Sequence, residues 1–474
     1  MHVNKKNLEP FFNPASIAIV GVPREGDRFG GATFLGKYLE SGFPGTLYPI
    51  NPKADRIQGL KAYPNLSALP EKPELVVVSV AARLVPAVLE ECARLNLRHI
   101  HILSSGFSEI QTREGTALEE RIASIAGENG LLIIGPNCMG SYCPSSKLTA
   151  WGAIPGMSGP VGVISQSGTI TQRLTEYLDS LGIGTEKAVS MGNATVLDSP
   201  DYLEFMAEDD KIHVIAMYLE SVKDGRRFLR LACEVGERKP IVLWKGGESK
   251  AGATTIASHT GSLAGEWRLW ETFFRQAGAI RVGSMNEWAD AVLALCLLPP
   301  AKGKGVFLIG GGGGTSVGNS DTCIREGLDV PPLAQATMEN LREIVPVAGS
   351  IAGNPLDMWR TYDDPEYLKD ILRLGYADPN ISVVIVDRLI PRKAFHMTGG
   401  EDPSPDIIQF VKEHQGGKPT VFTVDYEGGD SELAAKGANL RAQFCKAGLP
   451  AYPSLRRASR ALVRHHRYYA RRDR

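Results

Sequence analysis

Short apolar runs alternate with amphipathic stretches along the chain. The runs in the first third lie at 16–20, 74–79, 99–103 and 131–134. Each run is rich in β-branched residues and short enough for a buried strand. In 83–96 and 115–129, by contrast, the apolar residues have the spacing of amphipathic helices. Strands that alternate with helices form parallel sheets, so the pattern predicts an α/β fold.

The same alternation continues beyond a cluster of proline and glycine at 144–160. Further strands are predicted at 161–165, 213–219, 240–245, 306–309, 383–386 and 420–424. The stretch 299–305 contains two consecutive prolines, which predicts a linker. We therefore predict four segments along the chain. They are domains at 1–148, 149–298 and 299–460, and a basic C-terminal tail at 461–474.

Length and charge agree with several domains of a globular protein. At about 150 residues per domain, 474 residues predict about three. The 52 basic and 53 acidic residues nearly cancel, which argues against a nucleic-acid binder. Segment 456–474 is the exception, with eight arginines and one aspartate. It predicts either a solvated helix end or a basic arm for an acidic partner.

The cysteines and the hydropathy of the chain further limit the class of protein that the sequence can encode. The seven cysteines are scattered and form no C-x-x-C motif, so neither a disulfide framework nor a zinc site is expected. The longest apolar run, near 291–298, is far shorter than a membrane helix. No apolar signal segment follows the first residues. We expect a cytoplasmic protein without metal ligands or membrane contact.

The first predicted strand leads into a glycine loop at Gly21. A strand, a glycine loop and a helix offer backbone N–H groups and a helix dipole to a phosphate. The G-x-G-x-x-G spacing of dinucleotide sites is absent, and the second strand ends at Lys53 without an acid for a ribose hydroxyl. Coenzyme A, with its additional phosphate, fits better than NAD. A plain structural turn is the alternative.

Two later loops have the same plan. Ser165-Gln166-Ser167-Gly168-Thr169 follows a strand and opens a helix, where hydroxyl groups add donors for an anion. An ordinary helix cap is the alternative there. Five glycines at 310–314 lie between another strand and helix. Close approach of an anion to the backbone would offset their cost in chain entropy, and a flexible loop is the alternative.

His259 is the candidate nucleophile. It lies among small and hydroxylated residues in Ser258-His259-Thr260-Gly261, which leave room for a phosphate. A neutral imidazole nitrogen attacks phosphorus at neutral pH, and the phosphoramidate stays reactive. Glu220, at the end of a buried strand, could accept the other imidazole N–H. The alternatives are a structural histidine and a surface glutamate.

Together these segments resemble the NDP-forming acyl-CoA synthetases, the superfamily that includes succinyl-CoA synthetase. The resemblance is to the α subunit of the ADP-forming acetyl-CoA synthetase type and spans about 8–460. The matching motifs are Tyr48-Pro49-Ile50-Asn51-Pro52-Lys53, Ser105-Gly106-Phe107-Ser108-Glu109, Gly135-Pro136-Asn137-Cys138-Met139-Gly140, Ser165-Gln166-Ser167-Gly168, Ser258-His259-Thr260-Gly261, the glycines at 310–314 and Asn354-Pro355-Leu356-Asp357.

The resemblance implies a CoA-binding Rossmann-like domain followed by two flavodoxin-like ligase domains. It implies that His259 is the phosphohistidine and that Glu220 steadies it. The implied phosphate-binding residues are Ser165, Ser167, Gly168, Thr169, Gly311, Gly312, Gly313, Gly314 and Thr315. The implied CoA-binding residues are Gly21, Arg24, Lys53, Leu103, Ser104, Ser105 and Asn137, and Gln172 is the implied contact to the acyl substrate.

The implied function is that of an acid-thiol ligase. Acyl-CoA, phosphate and ADP would interconvert with a carboxylic acid, CoA and ATP through an acyl phosphate and phosphohistidine. Nothing in the chain reads as an ATP-grasp domain, so a separate β subunit, possibly in an α2β2 assembly, should supply ADP/ATP and Mg²⁺. The resemblance leaves the acyl group and the nucleotide base open. A catalytically silent CoA or acyl-CoA sensor is the alternative, and an NAD-dependent dehydrogenase is a third.

Overall fold

The chain forms two compact units. The computed structural model describes residues 8–24, 30–154, 156–260, 266–300, 302–310, 312–346, 350–362, 364–388, 404–425 and 430–472, with the backbone alone at 257–260. Unit 1 comprises 1–179 and 183–284, and unit 2 comprises 180–182 and 285–474.

The first sheet of unit 1 is parallel and lies in the N-terminal third. Its elements are β1 (Ser16–Val20), α1 (Gly31–Glu40), β2 (Thr46–Ile50), the hairpin β3 (Arg56–Ile57) and β4 (Leu60–Lys61), β5 (Leu75–Val78), α2 (Val85–Arg94), β6 (His99–Ile102), α3 (Arg113–Asn129) and β7 (Leu132–Ile134). The strand order is β2-β1-β5-β6-β7. All residues of β1 and β5 are buried, as expected of strands covered on both faces.

The second sheet of unit 1 has one antiparallel edge strand. Its elements are β8 (Gly140–Tyr142), β9 (Val161–Ser165), α4 (Gly168–Ser180), β10 (Lys187–Ser190), α5 (Ser199–Ala207), β11 (Val214–Leu219), α6 (Gly225–Gly236), β12 (Ile241–Lys245), α7 (Lys250–Thr260), α8 (Trp267–Ala277) and β13 (Ile280–Val282). The order is β13-β12-β11-β9-β10-β8, with only β8 antiparallel. Asp198 and Asp224 cap α5 and α6 through their side chains, which fixes where these helices begin.

Unit 2 contains the third sheet. Its elements are α9 (Met285–Leu297), β14 (Val306–Ile309), α10 (Gly313–Glu326), α11 (Gln335–Ile344), α12 (Pro365–Ala377), β15 (Val383–Asp387), α13 (Ser404–His414), β16 (Thr420–Thr423), α14 (Ser431–Lys446), β17 (Ala451–Tyr452) and α15 (Leu455–Arg472). The order is β14-β15-β16-β17, and a parallel bridge joins Ile309 to Leu356 on the other side of β14.

All three sheets share one winding. In both sheets of unit 1, the first parallel strand lies between the second and the third, which is the flavodoxin-like order 2-1-3-4-5 when the antiparallel β8 is left out. The Leu356 bridge occupies the position of the second strand in unit 2. Open α/β sheets bind ligands where the winding reverses beside the first strand. The candidate loops after β1, β9 and β14 all begin at this position.

The predicted α/β class is confirmed, and the predicted strands agree with the structure to within one residue at each end. The pattern missed β8, β10 and β13, which have three or four residues each, and also the two-residue strands β3, β4 and β17. Lys187 lies in β10 and Arg281 in β13, so neither has an uninterrupted apolar run. Helix α9 precedes the boundary predicted at 298, yet it groups with unit 2. Its buried Asp290 is held there by an ion pair with Arg457 of α15.

The predicted basic tail at 461–474 continues a packed helix through Arg472, the last residue described. Its apolar face is buried, and some arginines of this helix bond within unit 2, whereas Arg467 is exposed. Arg464 pairs with Glu287 at 2.7 Å, and Arg460 pairs with Glu326 at 2.9 Å. The alternating pattern of buried and charged positions explains both features, since one helix face packs and the other carries charge. Arg460 and Arg464 are therefore engaged within unit 2, and Arg467, Arg471 and Arg472 are exposed on the charged face of the helix.

Candidate active site

The loop after β1 makes a close backbone turn at the first winding reversal. Gly21 has φ +91°, and a Cβ there would lie 2.6 Å from the carbonyl oxygen of Ser79. The Ser79 hydroxyl accepts the N–H of Gly31, the first residue of α1, at 2.9 Å. Only glycine allows this approach between β1 and β5, and the turn lies beside the start of a helix. The geometry suits a phosphate group near Gly21.

Three other predicted CoA-binding residues meet at the neighbouring strand ends. The N–H of Leu103 donates to Val78 O, and the carbonyl of Ser104 accepts the N–H of Asn137 at 2.9 Å. Asn137 has φ +58°, a left-handed conformation that asparagine tolerates better than most residues. The adjoining Ser105 is exposed. The carboxyl ends of β6 and β7 are thus joined at these residues.

Two charged residues predicted to bind CoA lie on exposed loops after β1 and β2. Arg24 and Lys53 are both exposed, and neither forms an ion pair with another described residue. The N–H of Lys53 donates to the Asn51 side chain at 2.8 Å, which holds the loop after β2. Each cation is therefore accessible to an anion, and both follow strands of one parallel sheet edge.

The start of α4 combines an ordinary cap with free helical N–H positions. Ser167 accepts the N–H of Ile170 on its hydroxyl at 3.3 Å, so the capping role holds for this residue. The hydroxyl of Ser165 accepts the N–H of Ser167 at 3.1 Å. The N–H groups of Gly168 and Thr169 belong to the first turn, where a helix supplies no acceptor of its own. An anion fits at this end of the helix.

Glu220 is tied directly to that loop. The Gln166 side-chain oxygen accepts the N–H of Glu220 at 2.5 Å and the N–H of Ser221 at 3.0 Å. The Glu220 side chain is 6% exposed, and its Oε1 accepts the Tyr218 hydroxyl at 3.2 Å. Its Oε2 is buried without a hydrogen-bond partner among the described residues. A buried carboxylate oxygen in this state is suited to accept one further N–H.

His259 lies in the helix that follows β12. Its backbone belongs to α7, and its side chain lies outside the described part of the chain. Within unit 1, α7 contacts the short helical turn Ser108–Ile110, which follows β6. The helix that carries the predicted nucleophile therefore lies next to the edge where Ser104 and Asn137 meet.

Asn193 joins the edges of the two sheets in unit 1. Its side-chain nitrogen donates to Glu109 at 2.7 Å and to Glu119 at 2.9 Å, and its oxygen accepts from Asn137 at 3.3 Å. Burial disfavours the ionised form of Glu119, but hydrogen bonds from Ser108 and Asn193 and from a threonine outweigh it and lower its pKa. This network connects the predicted CoA loops to the α4 side of the unit.

The glycine loop of unit 2 has fewer glycine-dependent positions than its sequence suggests. Gly310 has φ +95°, and a Cβ there would lie 2.9 Å from Asp387 O. Gly312, the N-cap of α10, has φ +68°, whereas Gly314 faces open space. The predicted Gly311 lies outside the described residues. Gly313 and Thr315 are exposed in the first turn of α10, which is a second helix start able to bind an anion.

Gln172 lies one turn beyond the start of α4. It donates to Glu176 at 2.9 Å on an exposed stretch of the helix. No group of three or more metal-ligating side chains comes together in the described ranges. The described helices also include none with the length and apolarity to span a membrane.

Comparisons with known proteins agree with this arrangement. A family model described as "CoA binding domain" matches 15–144, "Succinyl-CoA ligase like flavodoxin domain" matches 158–295, and "Ligase-CoA domain" matches 306–404. The chain is 34% identical over 468 residues to acetate–CoA ligase [ADP-forming] I subunit alpha of Pyrococcus furiosus, with 96% of each chain covered. The chain belongs to the NDP-forming acyl-CoA synthetase family.

Two further proteins are similar to the chain over most of its length. It is 33% identical over 414 residues to acetate–CoA ligase [ADP-forming] II subunit alpha of Pyrococcus furiosus, covering 87% of this chain and 89% of that one. A solved structure of acetyl-coenzyme A synthetase 1 from Ca. Korarchaeum cryptofilum, in complex with phosphate and ADP, superimposes with a TM-score of 0.86 at 31% identity. That match covers 98% of this chain and 97% of the other. The predicted family and domain folds are confirmed.

Family membership also decides between the predicted classes. Its curated relatives are named as ligases, which supports an acid-thiol ligase over a silent sensor or a dehydrogenase. The sequence pattern assigned no role to Gln166, Tyr218 or Asn193. Gln166 stood inside a recognised motif, which was the one available signal. Asn193 depends on neighbours that are more than 70 positions away, whereas Tyr218 bonds to Glu220 only two positions later in the chain.

Proposed function

We propose that this chain is the α subunit of an ADP-forming acyl-CoA synthetase. It would interconvert acyl-CoA, ADP and phosphate with a carboxylic acid, CoA and ATP. The observation that carries the proposal is the buried Oε2 of Glu220, which has no hydrogen-bond partner among the described residues and whose backbone is bonded through Gln166 to the start of α4. That pairing of a carboxylate with an anion-binding helix start suits a phosphorylated histidine. Family membership supports the same chemistry.

The proposed cycle has three steps. A phosphate oxygen attacks the thioester carbonyl, and CoA leaves as its thiol to give an acyl phosphate. A nitrogen of His259 then attacks phosphorus, and the P–O bond to the acyl group breaks to release the carboxylate. The phosphoryl group passes from His259 to ADP. Glu220 accepts the N–H of the nitrogen that does not attack, so it stabilises the positive charge that develops on the ring.

The remaining residues bind or position the reactants in this proposal. The phosphate is held by Ser165, Ser167, Gly168 and Thr169 at the start of α4. The loop formed by 311–315 at α10 supplies a second helix dipole for the phosphate.

CoA is bound at the edge of the first sheet. Gly21, Arg24, Lys53, Leu103, Ser104, Ser105 and Asn137 are its proposed contacts. Gln172 contacts the acyl group. The boundaries at 148, 298 and 460 are proposed as the divisions between the CoA-binding domain, the two ligase domains and the C-terminal segment.

A partner subunit completes the cycle. We propose an ATP-grasp β subunit that carries ADP/ATP with Mg²⁺, in a hetero-oligomer such as α2β2, working in the cytoplasm. The segment with His259 must then move between two sites, with Gly246-Gly247 and Gly252 as hinges. Gly247 has φ +74°, a conformation that favours glycine, which is compatible with a hinge there.

The test uses the purified chain with inorganic phosphate and a panel of acyl-CoAs. Intact mass under alkaline conditions should show an acid-labile phosphoryl adduct with at least one acyl-CoA. His259→Ala should abolish the adduct, whereas His213→Ala, a change at an exposed histidine, should keep it. If CoA binds but neither the panel nor ATP with candidate ATP-grasp subunits gives an adduct, the ligase proposal fails. The sensor alternative would then replace it.

A further inference from the structure

Asn193 bridges two carboxylates and one residue of the proposed CoA site. It is 6% exposed, and its side-chain nitrogen donates to Glu109 at 2.7 Å and to Glu119 at 2.9 Å. Its side-chain oxygen accepts from Nδ2 of Asn137 at 3.3 Å. An ionised carboxylate accepts hydrogen bonds and donates none, so the end of the Asn193 amide that faces the two glutamates has to be the nitrogen. The orientation of this amide is therefore fixed.

The orientation of Asn193 sets that of Asn137. Because Asn193 turns its oxygen toward Asn137, the Asn137 side chain turns its nitrogen toward Asn193. The backbone of Asn137 is also held, since it has φ +58° and its N–H donates to Ser104 O at 2.9 Å. The side chain is half-buried, and its oxygen accepts no hydrogen bond from the described residues. Asn137 thus has a fixed side chain with an acceptor left over.

Asn137 lies at the end of the proposed CoA site that is nearest to α4. Met139, two residues later, packs against the first residue of α4, since a Cβ on Gly168 would lie 2.8 Å from Cγ of Met139. The exposed cations Arg24 and Lys53 follow β1 and β2 instead. Strands β1 and β7 are three places apart in the sheet, which is about 14 Å. If the phosphates of CoA lie at the two cations, its pantetheine arm crosses the strand ends and brings the thioester to α4.

We propose that the side-chain oxygen of Asn137 accepts an amide N–H of the pantetheine arm, and that Asn193 is the positioning residue that fixes the Asn137 amide in this orientation. The arm contains amide N–H groups, which donate, whereas a phosphate oxygen accepts and does not suit an acceptor. Asn193 acts through Asn137 and does not contact CoA. This inference rests on the proposed function, which takes CoA as the ligand of this sheet edge, and it adds to that proposal the part of CoA that Asn137 recognises.

The test compares the affinities of the purified chain for two ligands by isothermal titration calorimetry. CoA has the pantetheine arm, whereas adenosine 3′,5′-bisphosphate keeps the nucleotide part and lacks the arm. Asn193→Ala should weaken the binding of CoA by about 5–10-fold, which is the loss of one hydrogen bond, and leave the binding of the bisphosphate unchanged. Asn129→Ala changes an exposed asparagine of α3 and should alter neither affinity. A general loss of structure would weaken both ligands, so the difference between them reports on positioning.

A second variant changes Asn137 itself. Asn137→Gly removes the acceptor, and glycine adopts φ +58° without strain. It should weaken CoA by a similar factor, and adding Asn193→Ala should cause no further loss. The inference is overturned if either single variant binds CoA like the wild type, if CoA and the bisphosphate weaken equally, or if the two losses add. A wild type that binds no CoA would instead overturn the proposed function, and the inference with it.

Discussion

A substitution at Gln166 tests the candidate site most directly. Its side-chain oxygen is the acceptor for two backbone N–H groups, those of Glu220 and Ser221. Gln166→Met has a similar length but no acceptor, so both N–H groups lose their partner. Each buried N–H left unsatisfied costs about 1–3 kcal/mol, and partial access to water places the total at about 2–4 kcal/mol. For a unit of this size, we expect Tm to fall by roughly 4–10 °C.

The same change should slow the chemistry more than the loss of stability explains. Without the Gln166 acceptor, Glu220 is no longer fixed relative to the start of α4. A shift of about 1 Å in a catalytic group can cost up to about 100-fold in rate, so we expect phosphohistidine formation to slow by about 10–100-fold. The assays are thermal unfolding followed by circular dichroism and time-resolved intact mass after addition of phosphate and acyl-CoA.

Two further variants serve as controls for Gln166→Met. Gln335→Met removes an exposed glutamine that bonds to Glu339 one helical turn away, and it should change neither Tm nor rate. Gln166→Glu restores two acceptor oxygens but places a negative charge beside Glu220, so it should recover stability more than rate. If Gln166→Met unfolds no earlier than Gln335→Met, the two hydrogen bonds do not hold Glu220 as argued.

Two other predictions concern charges outside the site. Burial, with a nearby carboxylate, raises the pKa of Asp179 to about 6, so the folded form holds this proton more tightly than the unfolded chain does. The contribution of Asp179 to stability should therefore fall as pH rises from about 4 to about 6, and Asp179→Asn should be more stable than the wild type by about 1 kcal/mol at pH 7. Arg457→Met removes the partner of buried Asp290 and should lower the free energy of unfolding of unit 2 by about 3 kcal/mol.

A specific experimental result would contradict each of these two predictions. The Asp179 prediction is checked by thermal unfolding at several pH values, and parallel pH curves for variant and wild type would contradict it. For the ion pair, Arg456→Met is the matched control, since Arg456 is 67% exposed and lies 3.9 Å from its nearest carboxylate. Equal losses of stability in Arg456→Met and Arg457→Met would mean that burial of Asp290 does not set the cost.

Local pattern determined much of this protein from the sequence alone. Short β-branched runs between amphipathic stretches gave the strands their positions, because side-chain periodicity depends only on neighbouring residues. Gly21 and Gly310 lie in turns that require glycine. Both could be recognised in the sequence because each directly follows a predicted strand. The order of these motifs was sufficient to recognise the family before any residue had a known neighbour.

Tertiary structure decided which residues work together. Gln166 and Glu220 are 54 positions apart and meet only because β9 and β11 are adjacent in the sheet. Asn193 reaches Glu109 across 84 positions. Periodicity assigns a residue to a strand, but the order of strands in the sheet sets its neighbours. The candidate loops could therefore be predicted from the sequence, whereas the contact between Gln166 and Glu220 could be seen only in the fold.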